Sequence, residues 1–154
     1  MLSDQEKTEI ETEIRRYERR SAACVDALKV VQRHRGWVSD EALADVAEIL
    51  GMTTHELDSV ATFYNLIYRR PVGKQVILVC DTISCWIVGQ QQVFDHLKMR
   101  LGADWGQTTA DGRFTLLPVP CLGVCEQAPA VMIGNEVYGD LTPEKLDRIL
   151  ERLK

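Results

Sequence analysis

The chain lacks any apolar run near the ~18 residues that a membrane-crossing helix requires, so membrane association is expected only through partners. It also lacks an excess of positive charge. Its 18 Lys and Arg are outnumbered by 23 Asp and Glu, for a net charge of −5, and this excludes the basic footprint of a nucleic-acid binder. The three histidines, His34, His55 and His96, share no ligand-pair spacing, so they read as surface or capping residues rather than metal ligands. No Ser/His/Asp constellation stands out, which leaves an independent hydrolase unsupported. There is no internal repeat and no low-complexity segment. The opening stretch MLSDQEKTEIETEI is charged and polar, unlike a secretory signal, so a cytoplasmic location is expected.

What is present is an ordinary globular composition, 45% hydrophobic and 27% charged over 154 residues, enough for one domain or two small ones. Five cysteines are the unusual feature. In a reducing compartment clustered cysteines bind metal or do redox work more often than they form disulfides. Four of the five fall into two pairs, Cys80 with Cys85 and, after 35 intervening residues, Cys121 with Cys125, while Cys24 stands alone.

The first ~70 residues carry helical periodicity. The stretch SDQEKTEIETEIRRYERR predicts a charged helix with a thin apolar seam at Ile10, Ile14 and Tyr17. Ser21 is the expected cap of a second helix, with Val25, Leu28 and Val31 on one face and Gly36 as its stop. Ser39 caps a third, with Val38 and Leu43 placed as a hydrophobic staple and Gly51 as its end. Thr53 and Glu56 form a capping-box pattern for a fourth, whose stripe is Leu57, Val60, Ala61 and Tyr64. Short helices with short joints predict a small helical bundle.

The charged segment RRPVGK, Arg69 to Lys74, marks a boundary between domains at residues 1–70 and 71–154. Beyond it Gln75–Val79 is a nearly continuous apolar run, as in a strand buried on both faces. A helix from about Ile87 to Leu101 follows, with Gly102 as its stop. Arg113–Val119 predicts a second strand, and Gly134-Asn135 joins two more as a hairpin. Thr142 and Pro143 open a last helix. The fold class expected is therefore α/β, a helical bundle followed by a strand–helix–strand–strand–strand–helix domain. Strands joined through a helix run parallel, and ligands gather beyond the carboxyl ends of such strands. Cys80 and Cys121 both lie there, so topology brings the two pairs to one edge of the sheet.

Four thiolates can hold Zn²⁺ or an iron–sulfur cluster. Structural zinc favours C-x2-C turns that aim two sulfurs at one small ion, whereas gaps of four and three residues reach around something wider. A 2Fe-2S rhomb fits, with Cys80 and Cys85 on one iron and Cys121 and Cys125 on the other; the crossed pairing stays open. The lack of C-x-x-C disfavours a thioredoxin-type dithiol, and unrelated buried cysteines are the remaining alternative. Gly89 and Gly123 allow close approach of backbone N–H groups to sulfur, while Pro118, Pro120 and Pro129 stiffen the second loop.

The motifs CDTISCWIVG and CLGVCEQAP, with DGRFTLLPV between them and RGWV and VATFY in the helical part, resemble the thioredoxin-like 2Fe-2S ferredoxin family that supplies the small iron–sulfur subunit of NADH:quinone oxidoreductase, respiratory complex I. The resemblance covers nearly the whole chain; Trp86 departs from it, standing where the family often has a smaller or more polar residue. It implies a thioredoxin-like ferredoxin domain with one 2Fe-2S cluster on Cys80, Cys85, Cys121 and Cys125, acting in electron transfer. The implied partners are the flavoprotein subunit that binds NADH and FMN, together with other iron–sulfur subunits, peripheral to the inner membrane. The chain itself shows no Gly-rich dinucleotide fingerprint, so neither NADH nor FMN is expected to bind to it alone. Two alternatives share the cysteine pattern: the equivalent subunit of an NAD-linked formate dehydrogenase or hydrogenase, and a structural zinc module used in assembly.

Cys24 is expected to be a small core residue, and RRYERR a solvated helix face. Trp37, Phe63 and Tyr64 are expected in the core, an exposed aromatic there being instead an anchor for the flavoprotein.

Overall fold

The computed structural model describes residues 1–153. Within them lie seven α-helices and a four-stranded mixed sheet, and the chain divides into two compact units, Met1–Pro71 and Val72–Lys154.

The first unit holds α1 (Asp4–Ile14), α2 (Cys24–Arg35), α3 (Asp40–Leu50) and α4 (Thr54–Phe63). Its helix ends follow local chemistry. Ser3 and Glu6 form a capping box at α1, Ser39 accepts from the N–H of Ala42, and Thr53 and Glu56 form a second box at α4; each satisfies N–H groups that the first turn leaves unpaired. Val38 and Leu43 are both buried, as the staple requires. Gly36 and Gly51 end α2 and α3 at φ +82° and +68°, a backbone region that glycine enters without a Cβ clash. Ile10, Ile14, Leu28, Val31, Leu43, Val46, Leu50, Leu57 and Ala61 make the core, and Cys24 packs half-buried against it.

Three expectations for this unit are corrected. The first helix stops at Ile14 instead of running through Arg20. Arg15 with Arg19 and Arg16 with Arg20 would form like-charged i,i+4 pairs, which destabilise a helix, and no core residue lies just beyond Ile14 to offset them. Tyr17 accordingly leaves the seam and its hydroxyl donates to Asp26 at 2.5 Å. Ser21 lies inside a short 3₁₀ turn, Arg20–Ala23, and α2 begins at Cys24 without a side-chain cap. Phe63 and Tyr64 are not core residues: Phe63 is 80% exposed and Tyr64 46%, while Trp37 is half-buried. Leu57 and Ala61 fill the core-facing positions of α4, Phe63 falls off that face in the helical period, and Tyr64 sits at the C-cap outside the helix.

The second unit holds β1 (Gln75–Cys80), α5 (Ile83–Ile87), α6 (Gln90–Leu101), β2 (Phe114–Val119), β3 (Val131–Ile133), β4 (Glu136–Tyr138) and α7 (Pro143–Arg152). The sheet order is β2-β1-β3-β4, with β1 parallel to β2 and antiparallel to β3. As a central strand β1 is buried from Val76 to Cys80, which explains its unbroken apolar run. Ile77, Val79, Leu116, Val131, Phe94, Leu97, Leu146 and Ile149 form the core, and Trp105 stacks on Phe94 with ring centroids 3.9 Å apart.

The single helix expected from about Ile87 to Leu101 is two helices. Gly89 takes φ +110° and separates α5 from α6, because the chain turns there between a helix that carries Cys85 and one that packs on the sheet. His96 is not a surface or capping residue: it lies largely buried and meets Asp147 of α7 at 2.9 Å. Among the described residues no helix is long and apolar enough to cross a membrane.

Candidate metal centre

Cys80 is the last residue of β1, and its register partner on parallel β2 is Val119, two residues before Cys121. The two strands therefore deliver one cysteine each past the same edge. The chain then turns at both places. Cys85 comes back on the short helix α5, and Cys125 opens a 3₁₀ turn, Cys125–Gln127. Cys121 Sγ and Cys125 Sγ stand 3.4 Å apart. Cys80 and Cys85 are both buried, in a small cluster with Ala130 flanked by Leu122, Val124 and Ala128, whereas Cys121 and Cys125 are exposed. All four residues singled out in the sequence are thus gathered at one place, and Cys24 belongs to the helical unit.

The thiols feel one another. Burial pushes the Cys85 thiol up to about 11, and its hydrogen bond with Cys80 pushes in the same direction. The hydrogen bond with Cys121 raises Cys125. Cys121 is lowered, first by the backbone N–H of Gly123, which lies 3.3 Å from its sulfur, and then by Cys125. Gly123 reaches this position at φ +79°. Four thiols so placed cannot all ionise without a compensating cation, and a bound metal group would displace their protons. Among the described residues no group of three or more His, Cys, Asp or Glu is arranged to hold a single metal ion. The donor set is sulfur alone, in two pairs, with a glycine amide aimed at one sulfur; this chemistry fits a 2Fe-2S group.

Sequence reasoning missed several supporting residues. The Thr82 hydroxyl lies 3.4 Å from Cys80 Sγ, and the Ser84 hydroxyl acts on the Cys125 thiol. The signal for both is the pair of hydroxyl side chains between Cys80 and Cys85. Gly139 and Gln127 brace the second loop. The N–H of Asp140 donates to the Gln127 carbonyl at 2.5 Å, and a Cβ on Gly139 would come within 2.5 Å of the Gln127 Cβ. No local signal marks that contact, which joins segments separated by a hairpin. Around Cys85, Ile83, Trp86, Ile87 and Val88 are all more than half exposed, an apolar face beside the thiols.

The chain matches a family model, thioredoxin-like 2Fe-2S ferredoxin, over residues 10–154. It is 48% identical over 151 residues to a protein of Pseudomonas aeruginosa named as a subunit of NADH-quinone oxidoreductase, covering 98% of this chain and 91% of that protein. To the protein of the same name from Escherichia coli (strain K12) it is 46% identical over 153 residues, covering 99% and 92%. Among solved structures it superposes on an NAD+-reducing NiFe-hydrogenase in the air-oxidized state with a TM-score of 0.71 at 24% identity. That match covers 85% of this chain and 22% of the hydrogenase chain, and the likeness is one of fold.

Proposed function

The chain belongs to the thioredoxin-like 2Fe-2S ferredoxin family, and on that premise we propose that it is the electron-transfer subunit of an NADH:quinone oxidoreductase, with one 2Fe-2S cluster on Cys80, Cys85, Cys121 and Cys125. The observation that carries the reading is the gathering of these four thiols from the ends of two parallel strands, Cys121 and Cys125 with sulfurs 3.4 Å apart. The bound group supplies one-electron chemistry; the chain's own residues hold it, bury one side of it and aim N–H and O–H groups at sulfur. On this reading residues 71–154 carry the redox group and residues 1–70 form a separate helical domain.

The partner is the flavoprotein subunit that binds NADH and FMN, with the remaining iron–sulfur subunits beyond it. Two features support this. The chain has no Gly-rich dinucleotide fingerprint, so oxidation of NADH falls to another subunit. The apolar face of α5, centred on Trp86 and adjoining Cys85, is exposed and suits contact with a protein partner. Phe63 and Tyr64 offer a second aromatic contact on the helical unit. Membrane association comes through the complex, to which the chain is peripheral on the cytoplasmic side.

Metal analysis of anaerobically prepared protein tests the proposal. Two irons and acid-labile sulfide per chain, with an EPR signal on reduction, are expected. Stoichiometric zinc without iron would overturn it in favour of a structural zinc module. The equivalent subunit of an NAD-linked hydrogenase or formate dehydrogenase would share the cluster, and it is distinguished by which subunits co-purify. The two relatives at 46–48% identity carry the name of the quinone-linked oxidoreductase, which favours that complex.

A further inference from the structure

The loop between Cys80 and Cys85 carries two hydroxyl side chains, Thr82 and Ser84, and both are partly withdrawn from solvent while Asp81 and Ile83 between and beside them are exposed. The alternation places the hydroxyls on the thiol side and their neighbours on the solvent side. Thr82 Oγ1 lies 3.4 Å from Cys80 Sγ, within the range of an O–H···S hydrogen bond. Thr82 therefore offers a donor to a sulfur of the first cysteine pair. It holds its position as the residue before α5, whose N-terminal turn is closed by the Trp86 N–H donating to the Thr82 carbonyl at 2.9 Å. The backbone is thereby fixed while the hydroxyl stays free to donate.

One-electron reduction adds one negative charge to an assembly that already holds four thiolates. A hydrogen-bond donor aimed at sulfur stabilises the more negative state more than the less negative one, so it raises the reduction potential. We propose that Thr82 is a positioning residue that donates its hydroxyl to the Cys80 sulfur at the cluster and sets its potential upward. The inference rests on the four-cysteine ligand set proposed above.

The test is the midpoint potential of the cluster, by EPR-monitored redox titration, in the full chain and in Thr82→Val, Thr82→Ala and Thr82→Ser. Iron and sulfide content and the visible spectrum are measured on the same samples. Thr82→Val keeps shape and loses only the hydroxyl, and its midpoint is expected to shift to a more negative value at unchanged iron content. Thr82→Ser restores the donor and is expected to return the midpoint toward that of the unaltered chain. Should Thr82→Val retain no cluster, Thr82→Ala provides the same comparison without the branched methyls. A hydroxyl-free variant whose midpoint equals that of the unaltered chain overturns the role of Thr82, as does a Thr82→Ser midpoint shifted as far as that of Thr82→Val. Absence of iron and sulfide from the unaltered chain is a different failure, that of the ligand set itself.

Discussion

Replacing Gly139 with alanine tests whether the second cysteine loop is held from outside the ligand set. Gly139 is buried just beyond β4, and a Cβ there would lie 2.5 Å from the Cβ of Gln127 and 2.7 Å from its carbonyl oxygen. Carbon atoms normally meet at about 3.5–4.0 Å, so the two segments must part by about 1 Å. Side-chain rotation gives no relief, because the nearest atoms are a Cβ and a backbone oxygen. Gln127 ends the 3₁₀ turn that Cys125 begins, and its carbonyl accepts the Asp140 N–H. Overpacking a buried site costs about 1–3 kcal/mol, and weakening that hydrogen bond adds about 1 kcal/mol. A total near 3 kcal/mol corresponds to a shift in Tm on the order of 10–20 °C for a unit of this size. Displacement of Cys125 should also speed cluster loss about tenfold or more, a discount for partial relaxation at about 1.4 kcal/mol per decade. Thermal melts followed by circular dichroism, and iron release to a chelator followed by visible absorbance, read both effects. A Gly139→Ala protein that melts and releases iron as the unaltered chain does would refute the bracing role.

Cys80→Ser and Cys125→Ser should each lose most of the visible absorbance and the EPR signal, while Cys24→Ser keeps both; a Cys24 variant without cluster would reverse the assignment. Glu6 is buried, and the Arg35 guanidinium holds its carboxyl down at about 2. The unfolded chain therefore binds this proton more tightly, so the pair's contribution, about 3 kcal/mol, is complete above pH ~4.5 and is lost as pH falls toward 2. Glu6→Gln should be less stable at pH 7 and should lose this acid dependence in denaturant titrations; a stability gap that stays constant from pH 7 down to pH 2 would contradict it. Trp86→Ala and Phe63→Ala should weaken binding to the flavoprotein subunit about tenfold or more with little change in Tm, measurable by calorimetry; unchanged affinity in both would remove these faces as contacts. The isolated chain should not oxidise NADH, and turnover by pure protein would show a site that its sequence does not reveal.

Much of the fold is legible because local chemistry and tertiary demand agree. Ser39, Thr53 and Thr142 cap where their hydroxyls satisfy first-turn N–H groups, Gly36 and Gly51 stop helices where φ turns positive, and the run Val76–Val79 is apolar because β1 is central. Expectation and structure part where a pattern continues past the residue at which its packing partner ends. Periodicity extends the charged helix through an arginine-rich stretch that has nothing to pack on, and it counts Tyr64 into a stripe one residue after α4 has ended. Gly89 looks like the start of one helix, yet it separates two.

The sequence by itself determined the donor chemistry on offer, since thiol softness and the two-pair spacing are properties of residue type and order, and it determined the sheet edge through the parallel crossover. Tertiary structure decided what surrounds those sulfurs. It buried Cys80 and Cys85 while leaving Cys121 and Cys125 exposed, turned the Thr82 hydroxyl toward sulfur, and set Gly139 against Gln127. Burial and the Gly139–Gln127 contact depend on how segments far apart in the chain pack, and no local pattern encodes them; Thr82 lies only two residues from Cys80, and the turn after β1 brings its hydroxyl to the sulfur.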